Sequence, residues 1–183
     1  MADSNWYRDT RSSALITADE AAITLATTQK GLWPYARTLL PANYWWVGKT
    51  VKLTAFGKAT TDGTAGNYVA GIGYGSSDAP TALGAGTARA GVTSVTAQSW
   101  MFEAYFQCRT IGATGTLVGW GKFVMDLAIQ LSTSQPNLIP TSALAAVTID
   151  TTVGTNSPML TLSRSGAGVW TATTQALIFE ALN

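Results

Sequence analysis

The chain has 183 residues, no histidine, a single cysteine, and ten carboxylates against eleven Lys and Arg, for a net charge of +1. Lacking histidine, it has no serine or cysteine triad of the common kind, no common general base and few routes to zinc. Cys108 alone rules out a disulfide framework, and near-neutrality rules out the basic field that nucleic acid binding needs.

Taken in chain order, residues 1–35 are the most charged part, with Asp3, Arg8, Asp9, Arg11, Asp19, Glu20 and Lys30, and they end in Trp33-Pro34-Tyr35. They are expected to form an N-terminal arm that extends from, or pairs at the edge of, a β-sandwich domain spanning residues 36–183. Two short strands are expected at residues 14–17 and 22–27. The first residues are polar where a signal peptide would place a basic residue and an apolar run. No stretch reaches the roughly 18 apolar residues of a spanning helix, so a membrane partner is not expected.

Apolar residues then alternate with polar ones at period two, the mark of half-buried strands. Val51, Leu53 and Ala55 against Lys52 and Thr54 place a strand at residues 50–59, and a glycine-bearing turn at 63–66 leads to a second at 67–74. Residues 75–91, rich in Ser, Ala, Gly and Thr, are expected as a long loop. The clearest strand is 98–110, where Trp100, Phe102, Ala104, Phe106 and Cys108 face one way and Glu103, Gln107 and Arg109 the other. Residues 111–116 read as a hairpin turn into a strand at 117–127. After a polar connection at 132–140 come strands at 143–150, 159–163 and 171–182. The total, about eight or nine strands with little helical periodicity, specifies an all-β, antiparallel, jelly-roll-like sandwich.

Chemical motifs are sparse. Gly48-Lys49-Thr50 lacks the spacing and the following helix of a phosphate-binding loop, so Gly48 is read as the turn that starts a strand. Glu103 and Asp126 sit on the paired hairpin and are the carboxylates a glycosidase would use, but Lys122 and Arg109 nearby favour cross-strand ion pairs. No catalytic, metal-binding or cofactor-binding residues are assigned. Tyr44-Trp45-Trp46, Trp100, Trp120 and Trp170 read as core or subunit-contact aromatics, with a sugar-stacking platform as the competing reading. Cys108 reads as a buried small hydrophobe. With only 11% charged residues, against about a quarter in an average domain, part of the surface is expected to be covered by other subunits.

Three passages carry a resemblance: Leu39-Leu-Pro-Ala-Asn-Tyr-Trp-Trp-Val-Gly-Lys-Thr-Val-Lys-Leu-Thr-Ala-Phe-Gly-Lys58, Gly66-Asn-Tyr-Val-Ala-Gly-Ile-Gly-Tyr74, and the hairpin from Trp100 through Arg109-Thr-Ile-Gly-Ala-Thr-Gly-Thr116 to Phe123. Over residues 36–127 the chain resembles small jelly-roll virion proteins of tailed bacteriophages, the capsid decoration and minor capsid proteins. The resemblance implies a non-enzymatic virion protein on the outer capsid surface, assembled in the bacterial cytoplasm. Its implied partners are the major capsid protein and itself, as a homotrimer, with no cofactor. The arm is then the expected shell contact, with Trp6, Tyr7, Arg8 and Arg11 as candidate anchors. A tail or fibre protein and a carbohydrate-binding receptor module are the alternatives.

Overall fold

The computed structural model describes residues 19–125 and 136–182. The longest alternation in the sequence forms the longest strand, β7 (Gln98–Thr110), and its partner across the hairpin is β8 (Gly115–Met125). Trp100, Phe102, Ala104, Phe106 and Cys108 are all buried, as period-two patterning on a one-sided sheet requires. On the other side β7 pairs with β3 (Thr50–Thr61), and β3 pairs with β12 (Trp170–Ala181). Short strands β1 (Ile23–Thr24), β9 (Asn137–Ile139) and β10 (Val147–Ile149) complete a seven-stranded antiparallel sheet.

The second sheet is built on β4 (Gly66–Gly75) and β11 (Ser157–Ser165), with β2 (Lys30–Gly31), β5 (Thr81–Ala85) and β6 (Arg89–Gly91) at its margins. The two sheets form an antiparallel sandwich. Its core joins Val51, Leu53, Phe102, Phe106 and Leu117 of the first sheet to Tyr68, Ile72, Leu160 and Leu162 of the second. Phe123 sits at a ring junction, with centroids 5.8 Å from Tyr68, 5.2 Å from Phe102 and 6.2 Å from Trp100.

Among the described residues there are twelve strands, more than the eight or nine expected. The additions are short. Residues 75–91, expected as a loop, contain β5 and β6, both held on β4. Their Ala and Gly content hides them, because it is the backbone ladder to β4 that makes them strands. The polar connection at 132–140 contains β9 in its described part, and of the strand expected at 143–150 only β10 forms.

Both open sides of the sandwich are laced shut. On one, β1 pairs with β12 and β2 pairs with β11, so residues 23–31 cross from one sheet to the other. Leu25 N donates to Trp170 O, and Arg164 N donates to Ala26 O, each at 2.8 Å. On the other side Asn137, on β9, donates its Nδ2 to Thr87 O at 2.8 Å and accepts from Thr87 N at 3.1 Å. Of the stretch expected as an arm, residues 19–35 take part in this lacing; residues 1–18, with the short strand expected at 14–17, lie outside the described residues.

One irregularity decides what reaches the surface. Strand β12 carries a bulge between Thr174 and Ala176 where it pairs with β3. Before it Trp170, Ala172 and Thr174 are buried, and after it Leu177 and Phe179 are. A bulge inserts one extra residue and so exchanges the faces of everything beyond it. Here that exchange sends Ile178 and Glu180 outward.

Candidate functional site: the outer face of the seven-stranded sheet

The register of β12, β3, β7 and β8 fixes a grid of side chains on the solvent face. In one row Glu180 lies opposite Lys52, Lys52 opposite Tyr105, and Tyr105 opposite Trp120. In the next, Ile178, Thr54, Glu103 and Lys122 follow one another, with Leu138 of β9 beyond. The third is Ala176, Phe56, Met101 and Val124.

The charged residues of the first two rows interlock. Glu103 accepts from Lys52 at 3.1 Å and from the Tyr105 hydroxyl at 3.3 Å, and faces Lys122 at 3.6 Å; Lys52 also reaches Glu180 at 3.7 Å. The Lys52 ammonium is held above its ordinary pKa, chiefly by its hydrogen bond to Glu103. Partial burial alone would raise the Glu103 carboxyl, but Lys52, Lys122 and Tyr105 together outweigh it and hold the group below its ordinary value. The Tyr105 and Trp120 rings stack beside this cluster, 5.4 Å between centroids and 8° from parallel.

Around these charges lie partly exposed apolar side chains. Phe56 is 39% exposed, Ile178 36% and Leu138 64%.

The carboxylates favoured as ion-pair partners are divided by the structure. Glu103 is paired as expected with Lys122, and Lys52 is a further partner; Asp126 lies outside the described residues. Trp6, Tyr7, Arg8 and Arg11 also lie outside them. Trp45, Trp100 and Trp170 are buried, so the six aromatics weighed as a sugar platform do not form one. Trp45 Nε1 donates to the Tyr74 hydroxyl at 2.8 Å in the core. Its neighbours Tyr44 and Trp46 close on Lys49, whose Nζ sits 3.4 Å and 3.8 Å from their ring centroids. Each face presents negative π density to the ammonium, which lets Lys49 be only 3% exposed. Cys108 is buried, and burial pushes its thiol up. Gly48 has φ +90°, the conformation its turn needs before β3.

Two shallow hollows lie elsewhere. One of about 240 Å³ is lined by Tyr74, Ser76, Ser77, Thr148, Asp150 and Asn156. Asp150 Oδ1 accepts from the Thr152 hydroxyl at 2.6 Å and from Thr152 N at 2.8 Å, bonds that hold the carboxyl below its ordinary pKa. A second, of about 140 Å³, lies between Glu20, Lys30, Trp33 and Asp78. There Asp78 accepts from Tyr35 N at 2.9 Å and Glu20 pairs with Arg37 at 2.8 Å. The carboxylates beside both hollows brace turns. Glu103 lines neither of them. Among the described residues no cluster of three His, Cys, Asp or Glu could hold a metal ion, and no helix is long and apolar enough to cross a membrane.

Sequence reading found Lys52, Glu103 and Lys122, because alternation assigned their faces. It missed Glu180 and Ile178, which the β12 bulge turns outward, and Leu138, which sits in a stretch expected as a connection. Comparison with protein-family models, with curated proteins and with solved structures finds no match to this chain.

Proposed function

We propose that this chain is a non-enzymatic bacteriophage virion structural protein, a capsid decoration or minor capsid protein that binds the outer shell and stabilises it. One observation carries the reading: the outer face of the seven-stranded sheet combines partly exposed apolar side chains with charges already paired among themselves. Such a face costs less to cover with another protein than one with unpaired charges would, since Lys52, Glu103, Lys122 and Glu180 already pair with one another. The resemblance read in the sequence of residues 36–127 is what points to a major capsid protein as the partner. Repeated over many copies on a lattice, modest contacts sum to a strong hold on the shell.

The test is addition of the purified chain to shells that lack it, followed by imaging of the particles. The reading expects many copies at regular positions on the capsid. It expects a chain without residues 1–12 to stay folded and fail to add, because the arm with Trp6, Tyr7, Arg8 and Arg11 is the proposed grip. Density confined to the tail would move the chain to the tail or fibre class, and unimpaired addition of the truncated chain would remove the arm from the contact.

A further inference from the structure

We propose that Arg89 and Arg164, at one end of the sandwich, form a binding site for a small oxyanion of the phosphate or sulfate class. The inference stands apart from the virion reading and from the outer face of the seven-stranded sheet.

The site begins with the register of the second sheet. Arg164 of β11 lies opposite Tyr68 of β4, and Tyr68 lies opposite Arg89 of β6. Directly opposed residues share a face of the sheet. The Tyr68 ring meets Phe123 of the other sheet with 5.8 Å between centroids, so this row points into the gap between the sheets. Two strand spacings of about 4.8 Å put the two arginine backbones roughly 10 Å apart, near enough for both guanidinium groups to reach one ion. Burial raises the Tyr68 phenol, and the charge of Arg89 offsets part of that rise, which sets this guanidinium close to the phenol.

Arg164 is only 6% exposed, and a charge withdrawn that far from water is ordinarily paired. Here the donors stay open. Arg164 Nε and Nη2, Arg89 Nε and Trp170 Nε1 are buried with no acceptor among the described residues. The ion pairs among those residues engage Arg37, Lys52, Lys58 and Lys122, and neither of these two arginines. Asp62 feels the charge of Arg164, but its carboxylate is taken up by Thr64 N at 2.9 Å and by Val169 N. The Arg164 guanidinium lies 5.7 Å from the Trp170 ring. Trp170 in turn reaches across from the first sheet to Gly91, two residues beyond Arg89, where the indole fills the space of a Cβ. Donors from both sheets thus gather at one place. Trp100 Nε1, a further indole donor without an acceptor, lies along the first sheet against Gly57 and is not part of it.

An acceptor for this set has to be anionic, because it answers two positive charges, and rich in oxygen. The open N–H bonds outnumber the roughly four acceptor positions of a carboxylate, and they come from opposite sheets instead of one plane. A tetrahedral oxyanion meets both conditions, and guanidinium groups bind such ions through paired hydrogen bonds. Arg89, only partly buried on the margin strand β6, provides the way in. With a net charge of +1 the chain lacks the wider basic field that nucleic acid phosphates require, so the ion is a free one.

Calorimetric titration of the full-length chain with inorganic phosphate and with sulfate, at an ionic strength held constant with chloride, decides it. The wild-type chain is expected to bind saturably with a Kd of about 1 mM or tighter, and Tm should rise along the same curve. Arg89→Gln and Arg164→Met should each weaken binding at least about tenfold, and the rise in Tm should shrink with it. Phosphate and sulfate also stabilise proteins generally by exclusion from their surfaces; the variants keep that effect, so the difference between wild type and variant isolates the site. No saturable binding by the wild-type chain up to about 20 mM, or equal binding in both variants, overturns the proposal. The first outcome leaves the donors to water, and the second marks an adventitious ion only. Circular dichroism checks the fold of each variant. If Arg164→Met does not fold, Arg89→Gln carries the test, and undiminished binding in that variant overturns the proposal equally.

Discussion

Changing Glu103 to Gln preserves the side chain's size and removes the charge at the node of the outer-face cluster. Glu103 makes ion pairs to Lys52 at 3.1 Å and Lys122 at 3.6 Å and takes a hydrogen bond from Tyr105 at 3.3 Å. Solvent reaches these groups, with side chains 19% to 42% exposed, so each pair is worth roughly 0–1 kcal/mol and the several kcal/mol of a buried charge does not apply. The expected loss is about 1 kcal/mol, or about 2–4 °C in Tm for a domain of this size. The pH dependence is more diagnostic than the magnitude. Because the folded carboxyl is held below its ordinary value, it binds its proton less tightly than the unfolded chain does. Its contribution is therefore present above a pH of about 4.3 and is lost as pH falls through the folded pKa. Thermal unfolding of both proteins, at one dilute concentration from pH 7 to pH 3, should show a gap that closes at the acid end. A gap that persists at pH 3, or none at pH 7, refutes the assignment of Glu103 as a charge-paired strut.

Phe123→Ala removes a 1% exposed ring that contacts Tyr68, Phe102 and Trp100; urea unfolding should register a loss of about 3–5 kcal/mol, and a loss under about 1 kcal/mol would show that the sheets do not meet there. Burial raises the Tyr68 and Tyr74 phenols to about 12, so their contribution to stability is present below a pH of about 10 and is lost as pH rises toward 12. Ultraviolet titration should find late-ionising phenols that Tyr68→Phe and Tyr74→Phe remove, together with base unfolding; an unchanged titration in both variants would contradict it. Deletion of Gln175 should be tolerated within about 1–2 kcal/mol, since it removes the extra residue of the bulge and leaves Leu177 and Phe179 facing inward. Deletion of Ile178 should be far worse, because it turns Glu180 into the core, where an unpaired charge is costly; equal stability of the two deletions in thermal unfolding would mean that the bulge does not set the faces of β12.

Where one face of a strand is buried and the strand is regular, its sequence states its own orientation. That is why β3, β4 and β7 were legible to within two residues at either end: Val51, Leu53 and Ala55, then Tyr68, Ala70 and Ile72, then Phe102, Ala104 and Phe106 put every second side chain inward. Strands β5 and β6 carry no such pattern. Thr81 to Ala85 is strand because Ala82 and Ala85 meet Gly73 and Gly71 of β4, an arrangement that depends on a partner strand and leaves no trace in local composition. Of the two-residue strands that tie β12 to β11, β1 falls inside the strand expected at 22–27, whereas β2 has no pattern of its own and exists through its pairing with β11.

The candidate site follows the same division. Lys52, Glu103 and Lys122 come from regular strands and could be assigned to one outer face from spacing alone. Glu180 could not, because strict alternation through Thr171, Thr173 and Gln175 puts Ala176, Ile178 and Glu180 on the inner side. A one-residue slip exchanges all of these faces at once, and the fold uses it to bury Leu177 and Phe179, which 5% exposure or less rewards with apolar burial. The charge that reaches Lys52 at 3.7 Å is thus a by-product of where the apolar residues of β12 had to go.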